Sequence, residues 1–211
     1  MNDPKTILEP IGGYLLDLAA KLRNDIFVPH SLTKLHNIAR VRWHTGATSV
    51  IEVGSFKGVT TRRLSRIFDC VHSIEIDPTL FEHARRRCAD CKNITFHLGD
   101  GKVVLTKVAA DVQKCIIFLD GHFSGEGTGH GDEPEPVLAE LDIISRYLPN
   151  FLGIVVDDFH EFGVAEGWPR KSEVMAKLEC SLPEPEWMHA VMNDQFISMR
   201  RERTQAGNSG P

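Results

Sequence analysis

Two glycines and two acids stand at a spacing that could hold a nucleoside, within residues 49–78. Gly54 and Gly58 follow an apolar run and let a turn of backbone approach a ligand where a Cβ atom would collide. Glu75 comes about 20 residues later, where an acid can accept hydrogen bonds from both hydroxyls of a ribose. Glu52 lies inside the apolar run, where its charge would repel a pyrophosphate and would suit a cationic amino-acid tail.

The turn departs from the dinucleotide-binding pattern G-x-G-x-x-G, because three residues separate Gly54 from Gly58 and the middle glycine is missing. The stretch resembles the first motif and the acidic second-strand end of class I S-adenosylmethionine-dependent methyltransferases. This resemblance implies that S-adenosylmethionine is the cofactor; a strand–helix–strand unit without any cofactor is the alternative. The residues assigned to the cofactor are Glu52, Gly54, Ser55, Gly58, Thr60, Glu75, Ile76, Asp100, Gly101 and Asp120.

Three further acids follow two apolar runs that read as neighbouring strands. Asp120 ends one run, and Asp157 and Asp158 end the other. Carboxylates gathered in this way repel one another unless a cation lies between them, and oxygen ligands of this kind suit Mg²⁺. The positions resemble those of the metal-dependent catechol and macrocin O-methyltransferases, which implies a metal site at Asp120, Asp157 and Asp158. Acids at the positions of Asp120 and Asp157 also occur in metal-free relatives, so a contact with the methionine end of the cofactor is the alternative for these two.

A glycine-rich segment, residues 121–131, follows the first of these acids and is predicted to be a loop that could close over a substrate. His122 is the first choice of general base, because an imidazole can take a hydroxyl proton near neutral pH. A loop histidine with a structural hydrogen bond is the alternative, and His130 and His160 are weaker candidates. The catechol enzymes use a lysine near this place, but no lysine occurs between residues 120 and 149.

These side chains need a parallel sheet to bring them together. Apolar runs at 50–53, 114–119 and 151–156 are typical of buried parallel strands. Residues 71–76 and the alternating residues 93–98 predict two more strands, and 187–192 and 195–200 predict an antiparallel hairpin. Helical spacing predicts helices between the strands and two before the first, the second capped by Ser31. Asp100 could contact the adenine, cap the next helix, or do both. The predicted fold is α/β: a Rossmann-like, doubly wound, mostly parallel seven-stranded sheet with a C-terminal hairpin and an N-terminal helical cover.

Length and composition limit the classes of function. The 211 residues suit one domain, residues 1–203 with the cover at 1–45, and a disordered tail at 204–211. The net charge of −5 argues against a nucleic-acid partner, and no apolar run approaches the ~20 residues of a membrane span. No signal peptide is visible, so we expect a cytoplasmic protein without a disulfide framework.

The sequence therefore predicts an S-adenosylmethionine-dependent O-methyltransferase that acts on the hydroxyl of a small molecule, with His122 and Asp120 as catalytic residues and Mg²⁺ as an optional cofactor. A protein of the same fold that binds the cofactor without catalysis is the alternative. The expected partner is a small-molecule acceptor, with neither a nucleic acid nor a membrane. A homodimer is one possible assembly, and the sequence does not indicate which molecule is the acceptor.

Overall fold

The computed structural model describes residues 8–24, 30–121 and 135–201. Seven strands of this described part form one sheet. Their bounds are Ser49–Val53 (β1), Cys70–Glu75 (β2), Ile94–Leu98 (β3), Cys115–Leu119 (β4), Phe151–Val156 (β5), Trp187–Met192 (β6) and Gln195–Arg200 (β7). The predicted tail at 204–211 and most of the glycine-rich segment lie outside the described residues.

The sheet has the order β3-β2-β1-β4-β5-β7-β6. The first five strands run parallel, whereas β7 pairs antiparallel with both β5 and β6. The predicted doubly wound sheet with an antiparallel C-terminal hairpin is therefore confirmed. Because β1 to β5 all point the same way, the residues that follow them gather at one edge of the sheet.

Within the described residues, seven α-helices join or cover these strands. Their bounds are Leu8–Arg23 (α1), Ser31–Thr45 (α2), Val59–Leu64 (α3), Pro78–Arg87 (α4), Gly101–Asp111 (α5), Val137–Arg146 (α6) and Lys171–Ser181 (α7). Ser31 is the first residue of α2 rather than its cap, since His30 holds the cap position without a side-chain hydrogen bond. The Ser31 hydroxyl instead accepts a hydrogen bond from Arg63 at 3.0 Å. No helix among the described residues is long and apolar enough to cross a membrane.

Two apolar cores lie on opposite faces of the sheet, as the alternation of side chains along a strand requires. Ile51 and Val53 of β1 face the core shared with α5, α6 and α7. Val50 faces the other core, where Ile38 and Val41 of α2 pack beside the residues of α3. Helix α2 is thereby fixed directly over β4 and β5, and this placement brings its polar side chains to the edge where the predicted site lies.

Candidate functional site

The turn after β1 needs its glycines for contacts within the protein. Gly54 has φ 93°, and a Cβ atom there would lie 2.7 Å from the carbonyl carbon of Asp120. Gly58 has φ 72° and begins α3, where a Cβ atom would lie 2.8 Å from the Cα atom of Ala84 on α4. The two glycines therefore allow neighbouring backbone segments of the protein to pack against the turn at the sheet edge. Their predicted close contact with a ligand stays a prediction.

Glu75 closes this turn from the end of β2. Its side chain accepts hydrogen bonds from the backbone N–H groups of Phe56 at 2.8 Å and Asp77 at 3.0 Å. Burial raises the pKa of the Glu75 carboxyl, while these backbone hydrogen bonds lower it. Each carboxylate oxygen still has a second lone pair, so the two oxygens could accept hydrogen bonds from the two hydroxyls of a ribose. The structure therefore places Glu75 as predicted and gives it a second task, which is to hold the turn.

Glu52 and Ser55 lie beneath the turn, inside the protein. Glu52 is fully buried and accepts hydrogen bonds from the hydroxyls of Thr61 at 2.5 Å and Ser73 at 2.6 Å. The Ser55 hydroxyl lies 2.5 Å from that of Ser73 and belongs to the same buried network. Burial raises the pKa of Glu52 to about 7, although the hydrogen bonds from Ser73 and Thr61 lower it. These two predicted cofactor residues face the protein interior with their side chains.

Asp100 follows β3 and caps α5, since its side chain accepts a hydrogen bond from the backbone N–H of Lys102 at 2.8 Å. The capping role is confirmed, and the adenine contact stays a prediction. At Gly101 a Cβ atom would lie 2.7 Å from a carboxylate oxygen of Glu140 and 2.9 Å from Val53. Gly101 is therefore required by close packing where β1, α5 and α6 meet beside the turn.

The carboxylates after β5 meet a cation that the sequence analysis missed. The ammonium nitrogen of Lys34, on α2, lies 3.0 Å from Asp157, contacts Asp158, and lies 3.8 Å from Asp194 in the turn between β6 and β7. The Lys34 side chain is only 14% exposed. Burial alone would lower the pKa of Lys34, but the charges of Asp157 and Asp158 outweigh it and raise the pKa above its ordinary value.

This arrangement does not fit the predicted magnesium site. An ammonium group has three N–H donors, and here three carboxylates surround it, so a cation already occupies the position between them. The described groups that come closest to a metal-ligand cluster are Asp158, His160 and Asp194, whose ligand atoms lie within 4.8 Å of one another. Asp120 is not among them. With the Lys34 ammonium between Asp157 and Asp158, the described arrangement leaves no shared position for an ion that demands near-ideal octahedral geometry.

His160 is the placed histidine among the three candidates, because His122 and His130 lie outside the described residues. Its Nδ1 atom is 2.7 Å from a carboxylate oxygen of Asp194, and its Nε2 atom is 2.9 Å from Glu161. The backbone N–H of His160 also donates to Asp194 at 2.7 Å. The imidazole is thus oriented by a buried acid that also faces Lys34.

A cavity of about 220 Å³ lies beside these acids, under the first turns of α2. Its polar lining comes from Lys34, Asp120, Asp157 and Asp158, and Thr60 borders it on the side of α3. Leu35, Ile38 and Phe118 form its apolar wall. A cavity at the carboxyl ends of parallel strands, with charged groups on one side and an apolar wall on the other, could bind part of a small molecule.

No family model matches this chain. Among curated proteins, a demethylmenaquinone methyltransferase from Tropheryma whipplei (strain Twist) is 37% identical over 75 residues, or 36% of this chain. The chain spans 31% of the length of that relative, and the same figures hold for the protein of strain TW08/27.

Solved structures resemble the chain over most of its length. The O-methyltransferase from Bacillus cereus in complex with S-adenosylhomocysteine has a TM-score of 0.58 at 16% identity, covering 94% of this chain and 95% of that one. The O-methyltransferase TomG from Streptomyces achromogenes in complex with S-adenosylmethionine has a TM-score of 0.58 at 12% identity, covering 92% and 100%. A methyltransferase from Geobacter sulfurreducens has a TM-score of 0.53 at 16% identity, covering 93% and 98%. These likenesses show that the chain has the methyltransferase fold.

Proposed function

We propose that this chain, which has the fold of S-adenosylmethionine-dependent O-methyltransferases, transfers the methyl group of S-adenosylmethionine to a hydroxyl of a small molecule. The observation that carries the proposal is the juxtaposition, at one sheet edge, of the turn closed by Glu75 and the polar cavity lined by Asp120. Solved neighbours of the same fold that hold S-adenosylmethionine or S-adenosylhomocysteine support it.

Each end of the cofactor would meet a different part of this edge. Glu75 would accept hydrogen bonds from the ribose hydroxyls, and the turn from Gly54 to Gly58 would approach the methionine portion. Asp100 and Gly101, at the start of α5, would border the adenine. When bound, S-adenosylmethionine supplies a methyl group on a sulfonium, which is already a good leaving group. The protein then has mainly to align the acceptor oxygen with that methyl and to exclude water.

The acceptor hydroxyl must lose a proton, and the chain offers two candidates for the base. His122 stands two residues after Asp120, and it stays the candidate from the sequence. His160 is oriented by Asp194 in the manner of a base held by a carboxylate, and it shares a cluster with Asp158, which lines the cavity. Magnesium is not part of the proposal, because the Lys34 ammonium already lies between Asp157 and Asp158. The expected cytoplasmic location and the exclusion of nucleic-acid and membrane partners stay predictions.

The proposal is tested by incubating the protein and S-adenosylmethionine with a panel of catechols, phenols, alcohols and sugars, and measuring S-adenosylhomocysteine. We expect acceptor-dependent product, and a fall of at least about 100-fold for Asp120→Asn, because Asp120 lines the cavity and its backbone carbonyl packs against the glycine turn. Asp142→Asn is the matched control, since Asp142 is 53% exposed and pairs with Lys177 on the surface.

Cofactor binding without product from any acceptor would contradict the enzymatic proposal. It would favour the alternative, a protein that holds the cofactor without catalysis. Equal activity of Asp120→Asn and the wild type would remove Asp120 from the site.

A further inference from the structure

The carboxylate cluster, defined as Asp157, Asp158 and Asp194, brings acids from two separate loops around one point. Asp157 and Asp158 follow β5, and Asp194 lies in the turn between β6 and β7. Asp157 and Asp194 have side chains only 5% and 7% exposed. Unpaired charges at that degree of burial are strongly unfavourable, so a cation beside the cluster favours its charged form.

Lys34 reaches the cluster from a helix that is locked in place. Asn37, one turn further along α2, donates hydrogen bonds to the carbonyl of Met192 at 3.0 Å and to Gln195 at 2.9 Å. Asn193 donates back to Asn37 at 3.0 Å. The turn that carries Asp194 is therefore tied to α2 independently of any charge, and the ammonium is presented to the cluster by rigid elements.

The charges that face Lys34 also favour a resident cation. The Lys34 nitrogen lies 3.0 Å from Asp157, contacts Asp158 and lies 3.8 Å from Asp194, so one ammonium faces all three acids. Asp194 additionally binds His160, whose Nδ1 lies 2.7 Å from it. All three acids thus have a positively charged or proton-bearing neighbour within the described part of the chain.

We propose that Lys34 is the built-in cation of this edge and stands where a divalent metal ion would be needed to balance the same carboxylates. The chain then needs no metal to keep the cluster folded. Removing the lysine charge should turn the cluster into a divalent-cation site formed by Asp157, Asp158 and Asp194. The corollary that turnover is independent of metal rests on the proposed function, whereas the cation exchange itself does not.

The experiment compares wild type, Lys34→Met and the more polar Lys34→Gln, each with and without Asp158→Asn. Mn²⁺ binding is measured by electron paramagnetic resonance, and the melting temperature is recorded with EDTA and with excess Mn²⁺. The quantity of interest is the Mn²⁺ binding that is lost when Asp158→Asn is added, because binding to acids elsewhere in the chain does not depend on Asp158. Lys177→Met is the matched control, since it removes a lysine from a surface pair with Asp142.

Wild type and Lys177→Met should show no binding of Mn²⁺ that depends on Asp158, and both Lys34 variants should gain about one equivalent. In EDTA the Lys34 variants should melt about 10 °C or more below wild type, because a buried charge group has lost its partner. Mn²⁺ at 100-fold its dissociation constant should restore about 5 °C or more. A variant that folds only with Mn²⁺ gives the same answer.

Two results would overturn the proposal. The first is a wild-type protein that binds Mn²⁺ through Asp158, because the lysine would then not occupy the cation position. The second is a pair of Lys34 variants that neither bind nor are stabilised by Mn²⁺. A lack of S-adenosylhomocysteine binding by wild type would count against the proposed function alone, so the two failures are distinguishable.

Discussion

Several residues at this edge have a structural role in the fold and a second, proposed role in binding the cofactor. Glu75 holds the glycine turn through two backbone N–H groups and keeps lone pairs for a ribose. Asp100 caps α5 and stays beside the predicted adenine position. The sequence identified both residues because an acid at a strand end is visible in the pattern. It could not show that Glu52, an acid in the same motif, faces inward to Thr61 and Ser73.

Glu52 should make stability depend on pH. Burial raises its pKa from 4.5 to about 7, so the folded protein holds a proton that the unfolded chain has already released between those values. Stability contributed by this group is therefore full below pH 4.5 and is lost as the pH rises toward 7. Glu52→Gln removes this loss. Urea unfolding should show that the variant gains about 2 kcal/mol or more relative to wild type between pH 5 and pH 8.

The control for this prediction is Glu82→Gln, because Glu82 is about half exposed on α4. Its stability relative to wild type should stay nearly constant between the two pH values. A Glu52→Gln variant with an unchanged relative stability at pH 5 and pH 8 would show that Glu52 has an ordinary pKa.

The sequence predicted those helices and strands whose limits depend on the local order of apolar and polar residues. The apolar runs of β1, β4 and β5 predicted buried parallel strands, and the hairpin of β6 and β7 begins and ends where the sequence indicated. The pairing of Lys34 with Asp158 could not be predicted, because it joins residues 124 positions apart through the packing of α2 on the sheet. Leu35 was predicted on the side of α2 that faces the core, and the lysine next to it in the sequence was the available sign that a cation lies near the sheet edge.

The start of α3 gives a test at this scale. Gly58→Ala places a Cβ atom 2.8 Å from the backbone of α4 and requires an unfavourable positive φ, so we expect a loss of about 2 kcal/mol in unfolding free energy. Gly12→Ala is the matched control, because Gly12 lies in α1 with nothing within 4 Å of the new atom. That substitution should stabilise by roughly 0.5–1 kcal/mol. Equal effects of the two substitutions would contradict the packing role of Gly58.

The molecule combines a sheet that it shares with solved methyltransferases and a set of polar residues at the strand ends that includes an unpredicted lysine. Solved methyltransferases with 12–16% identity share the fold across most of both chains. At that identity, the polar residues at the strand ends are free to differ while the apolar strands keep the sheet. The acids after β5 illustrate this, since their pattern resembled a metal site and their actual neighbour is a lysine from the N-terminal helices.

The measurement that tests the central claim most directly is calorimetric titration of the purified protein with S-adenosylhomocysteine, with Mg²⁺ and again with EDTA. Wild type should bind equally in both, since no metal is required, and Glu75→Ala should bind at least about 10-fold more weakly because two charged hydrogen bonds are lost. Glu82→Ala, on the surface of α4, should bind like wild type. No binding by wild type, or unchanged binding by Glu75→Ala, would contradict the assignment of this edge as a cofactor site.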